Sequence, residues 1–421
     1  MKFKVFSLGC KVNSYEISAI TSDLIGHGFI LDNDNPDVVI INTCSVTATA
    51  DQKSRQHIRK FQKMYPKAII VVMGCYSQGN KDYILENIKP TILIGTSHRN
   101  EIYSLIQEYL KTKQPIVRID DNPRFFSYEE LGVTSFSENT RAYLKIQDGC
   151  DNFCAYCLIP FRRGKSRFRL PEHVLAEAKY LIEKGYQEIV LTGIHVGGYG
   201  KDLGNYSFSD LVENILNLDN CPRLRISSIE ESEIDEKLIK LVNTNPRLCN
   251  HLHIPLQSGC DATLKRMNRK YNTEQFKNKL DDLKQKTNAL ISTDVIVGFP
   301  GETDEEFNQT VSFIKSSGIN MIHVFPFSSR EGTLASRMPN QIDPKIKNQR
   351  VDVLLELSKQ LFKEYYQQFI GQDVEVLIEK IDKDGLGIGH TTNYIEVAVS
   401  QKVKVGQTVT VKLQENMIVS K

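Results

Sequence analysis

Three cysteines within eight residues constrain this chain more than any other feature: Cys150-Asp-Asn-Phe-Cys154-Ala-Tyr-Cys157. The run follows the β-prone stretch Tyr143–Gln147 and Gly149. Three thiolates on one tight loop can each hold one iron of a 4Fe–4S cube, leaving the last iron open to an outside ligand. A ferredoxin-type run uses two-residue gaps and supplies a fourth cysteine. A structural zinc site is closed by a fourth Cys or His, and none lies between Leu158 and Pro171. Three incidental core cysteines explain so regular a spacing poorly, because free cysteine is scarce and usually placed for its chemistry.

The other cysteines stand at 10, 44, 75, 221, 249 and 260, which makes nine. An odd number in a chain this large does not suggest a disulfide framework. Met1–Gly9 has no basic head followed by a long apolar core, so the expectation is a chain that is not exported but stays in the reducing cytoplasm. The longest membrane candidate, Ala68–Met73, falls far short of the ~20 apolar residues a bilayer needs. Net charge is +2, so bulk charge announces no nucleic-acid partner and a basic patch must be sought locally.

The 421 residues divide by pattern. Over 1–114, short β-branched runs (Lys4–Leu8, Val38–Ile41, Ile69–Met73, Ile92–Ile94) alternate with helical stretches (Tyr15–Ile25, Thr49–Met64, Asn100–Leu110). That alternation predicts a parallel-sheet α/β domain. Residues 115–139 read as a linker. The alternation restarts over 140–370, with strands at Tyr143–Gln147, Glu188–Leu191, Leu224–Ser227, His251–Ile254, Ile291–Val297 and Met321–Phe325, and a long trailing helix at Lys345–Phe369. Six βα units are too few for a closed eight-fold barrel and predict an open, partial one. Residues 371–421 alternate apolar and polar positions between glycines and predict a small all-β barrel of about five strands.

Cys10, Cys44 and Cys75 form a second constellation. Each follows a predicted parallel strand by one to three residues: Ser-Leu-Gly-Cys10-Lys-Val-Asn13, Ile-Asn-Thr-Cys44-Ser-Val-Thr47, Val-Met-Gly-Cys75-Tyr-Ser-Gln78. Carboxyl ends of parallel strands point the same way, so the three thiols can converge on one edge. Singly, each reads as a buried strand cysteine. Three at equivalent positions read as a second open cluster.

A cysteine loop of this spacing, with an aromatic before its last cysteine and a βα barrel behind it, resembles the radical S-adenosylmethionine enzymes. With the leading triad and the terminal β module, the whole chain resembles the methylthiotransferases of that group. The segment Leu144–Gly164 fits their signature, and residues 371–421 are similar to the TRAM RNA-binding domain. Gly9-Cys10-Lys11-Val12-Asn13-Ser14-Tyr15-Glu16, Leu191–Gly200 and Arg225–Glu230 resemble the bacterial branch acting on threonylcarbamoyladenosine in tRNA. The resemblance implies S-adenosylmethionine and two 4Fe–4S clusters, one on Cys150, Cys154 and Cys157, the other on Cys10, Cys44 and Cys75. It implies that one S-adenosylmethionine methylates a sulfur on the second cluster. Another is cleaved at the first to yield a radical that takes the hydrogen on C2 of adenine. It places the backbone of Tyr156 by the cofactor adenine, Gly193 by its amino group and Glu230 near its ribose. It also implies a tRNA substrate, a reductase or flavodoxin-type electron donor and a sulfur donor. Three other readings stay open: a methylthiotransferase acting on a different tRNA adenosine, one acting on a ribosomal protein, and a non-catalytic iron–sulfur RNA-binding protein.

Arg162-Arg163-Gly-Lys165-Ser-Arg167-Phe-Arg169 packs five basic residues into eight beside the cysteine loop. It is the candidate phosphate-binding patch. Gly164-Lys165-Ser166 is no P-loop, because position 159, where that pattern needs glycine, is Ile159. Lys265–Lys270 and Lys53, Arg55, Arg59 and Lys60 read as solvated helix faces. His251, His253 and His323 read as satisfied core histidines. Cys221, Cys249 and Cys260 read as structural. The terminal module carries six lysines against seven acids, an unexpected balance for an RNA-binding face.

Overall fold

The computed structural model describes every residue except 133–139, 202, 205, 420 and 421. In the leading part the chain runs β1 (Lys2–Ser7), α1 (Lys11–Gly26), β2 (Ile30–Leu31), β3 (Val38–Thr43), α2 (Ala48–Met64), β4 (Ile69–Gly74), α3 (Cys75–Gly79), α4 (Lys81–Asn87), β5 (Ile92–Ile94), α5 (Ile102–Thr112) and β6 (Ile116–Arg118). The strands form one parallel sheet in the order β2-β1-β3-β4-β5-β6. Every residue of β3 and β4 is buried, as unbroken β-branched runs require when helices cover both faces. Ile20, Leu24, Leu105 and Ile106 pack on one face; Ile58, Phe61 and Ile84 pack on the other. The expected linker is corrected here. Ile116–Arg118 pairs with β5, so the sheet continues past residue 114. The rest of that span reaches into 133–139, outside the described residues.

The next stretch contains β7 (Arg141–Lys145), β8 (Gln147–Asp148), α6 (Ile159–Arg163), β9 (Arg167–Phe168), α7 (Pro171–Glu183), β10 (Glu188–Thr192), α8 (Phe208–Leu216), β11 (Arg223–Ile226) and α9 (Glu236–Thr244). It continues through β12 (His251–His253), α10 (Asp261–Arg266), α11 (Thr273–Lys286), β13 (Leu290–Val297), α12 (Asp304–Ser317), β14 (Met321–Pro326) and α13 (Pro344–Gln367). Strands β7, β10 and β11 pair in parallel, as do β12, β13 and β14. Parallel bridges Leu224–Leu248 and Ser228–His253 join the two sets. The result is a six-stranded open barrel. Its outward side chains, including Leu144, Ile189, Leu191, Ile226, Leu252 and Ile291, build the largest apolar core with the helices. Side chains alternate along a strand, so Arg141, Glu188, Arg223, Arg225, His251, His253, Ser292 and Asp294 face the other way. The barrel interior is therefore a polar chamber. Helix α1 covers the flank at β7: Tyr15 and Ala19 join the barrel core, and the Tyr15 hydroxyl donates to Glu177 of α7 at 3.2 Å.

The terminal module comprises β15 (Asp373–Ile381), β16 (Gly387–Thr391), β17 (Glu396–Val399) and β18 (Thr408–Lys412), antiparallel in the order β17-β16-β15-β18. Of the five expected strands, four form among the described residues, and a single bridge joins Val397 and Ile418. The module seats on the chamber floor. Arg223 and Arg225 donate to the carbonyls of His390, Thr391 and Thr392 at 3.2–3.3 Å. Tyr394 stacks on His251 with ring centroids 4.4 Å apart.

Glu188 holds this floor together. It accepts from Arg223 at 2.7 Å and Arg225 at 2.9 Å while fully buried. Burial opposes its charge, yet Arg225, Arg223 and Arg141 bring its carboxyl down to about 2. Glu188→Gln leaves buried guanidinium groups uncompensated, so it should cost about 3–5 kcal/mol in denaturant unfolding at pH 7. A depressed native pKa gives stability that is complete above the ordinary value of 4.5 and is lost as pH falls. The gap between wild type and variant should therefore narrow from pH 4.5 toward pH 2.

Candidate active site at two cysteine triads

The first triad follows from the leading sheet. Cys10 is the N-cap of α1, Cys44 stands one residue past β3, and Cys75 opens α3 directly after β4. Strands β1, β3 and β4 are adjacent and parallel, which brings the three thiols to one sheet edge. Gly9 makes the close approach possible. It has φ of +107°, and a Cβ there would stand 2.8 Å from the Cys44 side chain. Burial pushes the Cys44 thiol up to about 11, and the neighbouring Cys75 and Cys10 push the same way. Such thiols need compensating positive charge to ionise. Arg163 supplies it at Cys75, its Nε standing 3.3 Å from the sulfur.

The second triad sits on the loop between β8 and α6. Gly149 has positive φ, and a Cβ there would stand 1.9 Å from the Lys165 carbonyl oxygen. The amides of Asn152 and Ile159 donate to the sulfurs of Cys150 and Cys157 at 3.5 and 3.4 Å. Arg269 donates to Cys154 at 3.4 Å. The loop is held from both sides: the Ala155 amide donates to Met267, and its carbonyl accepts from Ala335. Gln147 ties it to the turn after β10, accepting from the amides of Ile194 and His195 and donating to Gly149. Burial opposes charge on His195, but hydrogen bonds to Cys150 and Glu233 raise it to about 10.

Both donor sets suit sulfur ligands of a cluster: three thiols each, with nearby N–H donors to stabilise thiolate charge. Among the described residues no group of three His, Cys, Asp or Glu side chains could hold a single metal ion.

The other expected site residues divide. Glu230 lies by the second triad, paired with Arg269, and both line a cavity of about 210 Å³ with Cys154 and His195. Gly193 packs under Gln147, where a Cβ would meet its Oε1 at 3.0 Å. The Tyr156 ring packs edge-on to Phe299 at 6.5 Å. The basic patch is corrected. Arg163, Arg167 and Arg169 are buried and engaged internally: Arg163 with Glu16 and Asp148, Arg167 with Asp148, and Arg169 with Glu177 and Glu130. None is placed to meet a phosphate. Arg162 is half-buried against Gly79, and Lys165 is exposed. The stretch Lys265–Lys270 is corrected too, because the Arg269 side chain is only 5% exposed. The histidines are part of the chamber wall. His251 and His253 share Ser292 at 2.8 and 2.9 Å, and His253 stands 3.3 Å from Asp294.

One ionic knot joins the triads. Glu16 of α1 meets Arg163 at 2.8 Å, Lys145 at 3.2 Å and also Arg99. Asp148, two residues before Cys150, meets Lys145 at 2.7 Å and Arg163 at 3.1 Å. Arg163 also donates to Asn13 at 2.9 Å. Sequence reading missed Asn13, Glu16, Arg99, Lys145 and Asp148. The visible signal was Lys145, Gln147 and Asp148 around Ile146 in an otherwise strand-like segment. Arg163→Ala takes a shared cation from two buried carboxylates, Glu16 and Asp148, and should cost about 3–5 kcal/mol of stability by denaturant titration. Lys165→Ala at the exposed position should stay within about 0.5 kcal/mol.

Comparison with known proteins accords with this geometry. Residues 144–314 match the radical SAM superfamily, 2–95 the uncharacterized protein family UPF0004 and 367–416 the TRAM domain. A threonylcarbamoyladenosine tRNA methylthiotransferase MtaB of Bacillus subtilis is 43% identical, covering 97% of this chain and 92% of its own. The corresponding protein of Aquifex aeolicus is 33% identical over 98% and 100%. A tRNA-2-methylthio-N6-dimethylallyladenosine synthase of Pelotomaculum thermopropionicum is 31% identical over 93% and 90%. Among solved structures, the radical S-adenosylmethionine methyltransferase TsrM of Kitasatospora setae shares the fold, with TM-score 0.60 at 14% identity over 77% of this chain and 72% of that one. Near-full-length identity, the three matched domains and the paired triads together place this chain in the MtaB family of radical S-adenosylmethionine tRNA methylthiotransferases.

Proposed function

We propose that this chain converts N6-threonylcarbamoyladenosine, next to the anticodon of a tRNA, to its 2-methylthio derivative, using a 4Fe–4S cluster on each triad. The observation that carries this reading is the pair of triads, tied to one shared buried ionic knot. When bound, the clusters and S-adenosylmethionine supply a carbon-centred radical and a place to carry sulfur. The chain's own residues then position and shield. Cys150, Cys154 and Cys157 hold one cluster, with Arg269 and the Asn152 and Ile159 amides offsetting its negative charge. Cys10, Cys44 and Cys75 hold the other, with Arg163 in the same role. Tyr156, Gly193 and Glu230 border the space for the cofactor. Gln147 and the knot fix the separation of the two sites, which matters because sub-ångström positioning governs such rates.

Exposed Phe153 and Phe161 form an edge-to-face pair beside the cysteine loop, with rings 5.9 Å apart. Together with Lys165 and Arg162 they combine stacking surface and positive charge, the pairing single-stranded RNA favours. The TRAM domain adds a second RNA-binding element. An outside one-electron donor, of reductase or flavodoxin type, and a sulfur donor complete the reaction. No helix among the described residues is long and apolar enough to cross a membrane, which suits a cytoplasmic tRNA substrate.

Anaerobic reconstitution should give about eight irons per chain. Replacing Cys150, Cys154 and Cys157 with Ala should halve that and abolish reductive release of 5′-deoxyadenosine. Replacing Cys10, Cys44 and Cys75 with Ala should also halve the iron but leave that release intact, while methylthio transfer stops. Mass spectrometry of nucleosides from digested tRNA checks the last point; a 2-methylthio product from the second variant would reduce the first triad to a structural role.

A further inference from the structure

Helix α3 begins at Cys75 of the first triad, and α6 begins two residues after Cys157 of the second. Gly79 closes α3, and residues four apart share one face of a helix. Consecutive arginines of α6 meet that face. Arg163 Nε stands 3.3 Å from the Cys75 sulfur, and the guanidinium of Arg162 lies across Gly79. A Cβ at position 79 would stand 1.8 Å from the guanidinium carbon, 2.1 Å from Nε and 2.3 Å from one Nη. The Gly79 backbone is helical, so no left-handed turn asks for glycine there. The missing side chain leaves a seat for the Arg162 guanidinium. The Arg162 carbonyl accepts from the Thr96 hydroxyl at 2.6 Å, which fixes the backbone from which that side chain springs.

Arg163 is engaged by Glu16, Asp148 and Asn13. Arg162 is different. Its Nε is buried without a hydrogen-bond partner, while the residue keeps part of its surface open to solvent. The negative groups that act on it are Cys75 and Asp51; Arg163 donates to the first and Arg330 pairs with the second. A guanidinium keeps its charge and offers five donors in a planar fork. Seated on a helix, short of acceptors, and in a segment whose Phe161 and Lys165 are exposed, it is complementary to a phosphate.

The inference rests on the function proposed above, which brings a tRNA nucleotide to the triads with a phosphodiester on either side of it. We infer that Arg162 holds one of these phosphates and that Gly79 is its positioning residue, laying the guanidinium against α3 one helical turn from the first triad. A methyl group at 79 displaces the charge at little cost to the fold, because the nearest atoms it meets are a side-chain tip and not backbone.

The test uses full-length, cluster-reconstituted wild type, Gly79→Ala, Arg162→Ala and the double variant, each checked for iron content and circular dichroism. Kd is measured across a salt series for an anticodon stem-loop RNA bearing N6-threonylcarbamoyladenosine and for the same RNA with plain adenosine. Losing one phosphate contact flattens the plot of log Kd against log salt by about 0.7–0.9. Each single variant should show that flattening on both RNAs, with Kd raised about tenfold. The double variant should match Arg162→Ala, with no further change. If either single variant keeps the wild-type slope, the assignment is overturned. A second step of flattening in the double variant overturns it too, because the two residues then act separately. Should Gly79→Ala lose iron, the double variant decides: iron restored there supports the seat, and iron lost in both overturns it. A wild type that binds the two RNAs equally would overturn the functional reading and leave the phosphate contact standing, so the two failures are distinct.

Discussion

The buried guanidinium of Arg163 is the contact on which the rest of the molecule depends. It touches the Cys75 sulfur, Asn13, Glu16 and Asp148, groups that belong to the leading sheet on one side and to the barrel on the other. Isolated buried charges are costly, and here Arg163 shares Glu16 and Asp148 with Arg99, Lys145 and Arg167. The two domains therefore do not merely touch: each completes the electrostatics of the other. A hydrophobic seam of equal area would bind as well but tolerate sliding. The directed N–H donors of a guanidinium tolerate little.

That rigidity suits the proposed chemistry, in which the two cysteine triads act on one base. The knot lies between the loops and its charges nearly balance. Glu16 and Asp148 face Arg99, Lys145, Arg163 and Arg167, and Glu129 closes the far side of Arg99 at 2.7 Å. Added negative charge from cluster sulfides would be met by Arg163 and Arg269, one at each triad.

Periodicity exposed most of the fold. The β-branched runs of β3 and β4, the six barrel strands and the long helix α13 are all legible because burial on a regular element leaves a regular pattern. The two cysteine triads were legible too, since thiols at strand ends are rare. Short pieces were not: β2, α3 and α6 are too brief to show a period. The basic run at 162–169 misled because charge in sequence says nothing about partners in space. Arg163 and Glu16 are 147 residues apart, and only the folded chain reveals that the arginine is core and not surface. Arg269 was hidden for the same reason, in a stretch whose neighbours Lys265 and Lys270 are exposed.

The seating of the terminal β module on Arg223 and Arg225 has a consequence for the order of events during synthesis. The carbonyls that receive these arginines belong to His390, Thr391 and Thr392, near the carboxyl end of the chain. While the ribosome is still making those residues, the barrel strands can pair but their interior has no base, and water enters from below as well as above. The polar chamber becomes a vessel closed at the bottom only when the last domain arrives. A chain that ends early is thus an open tube, its two arginines left without those carbonyls.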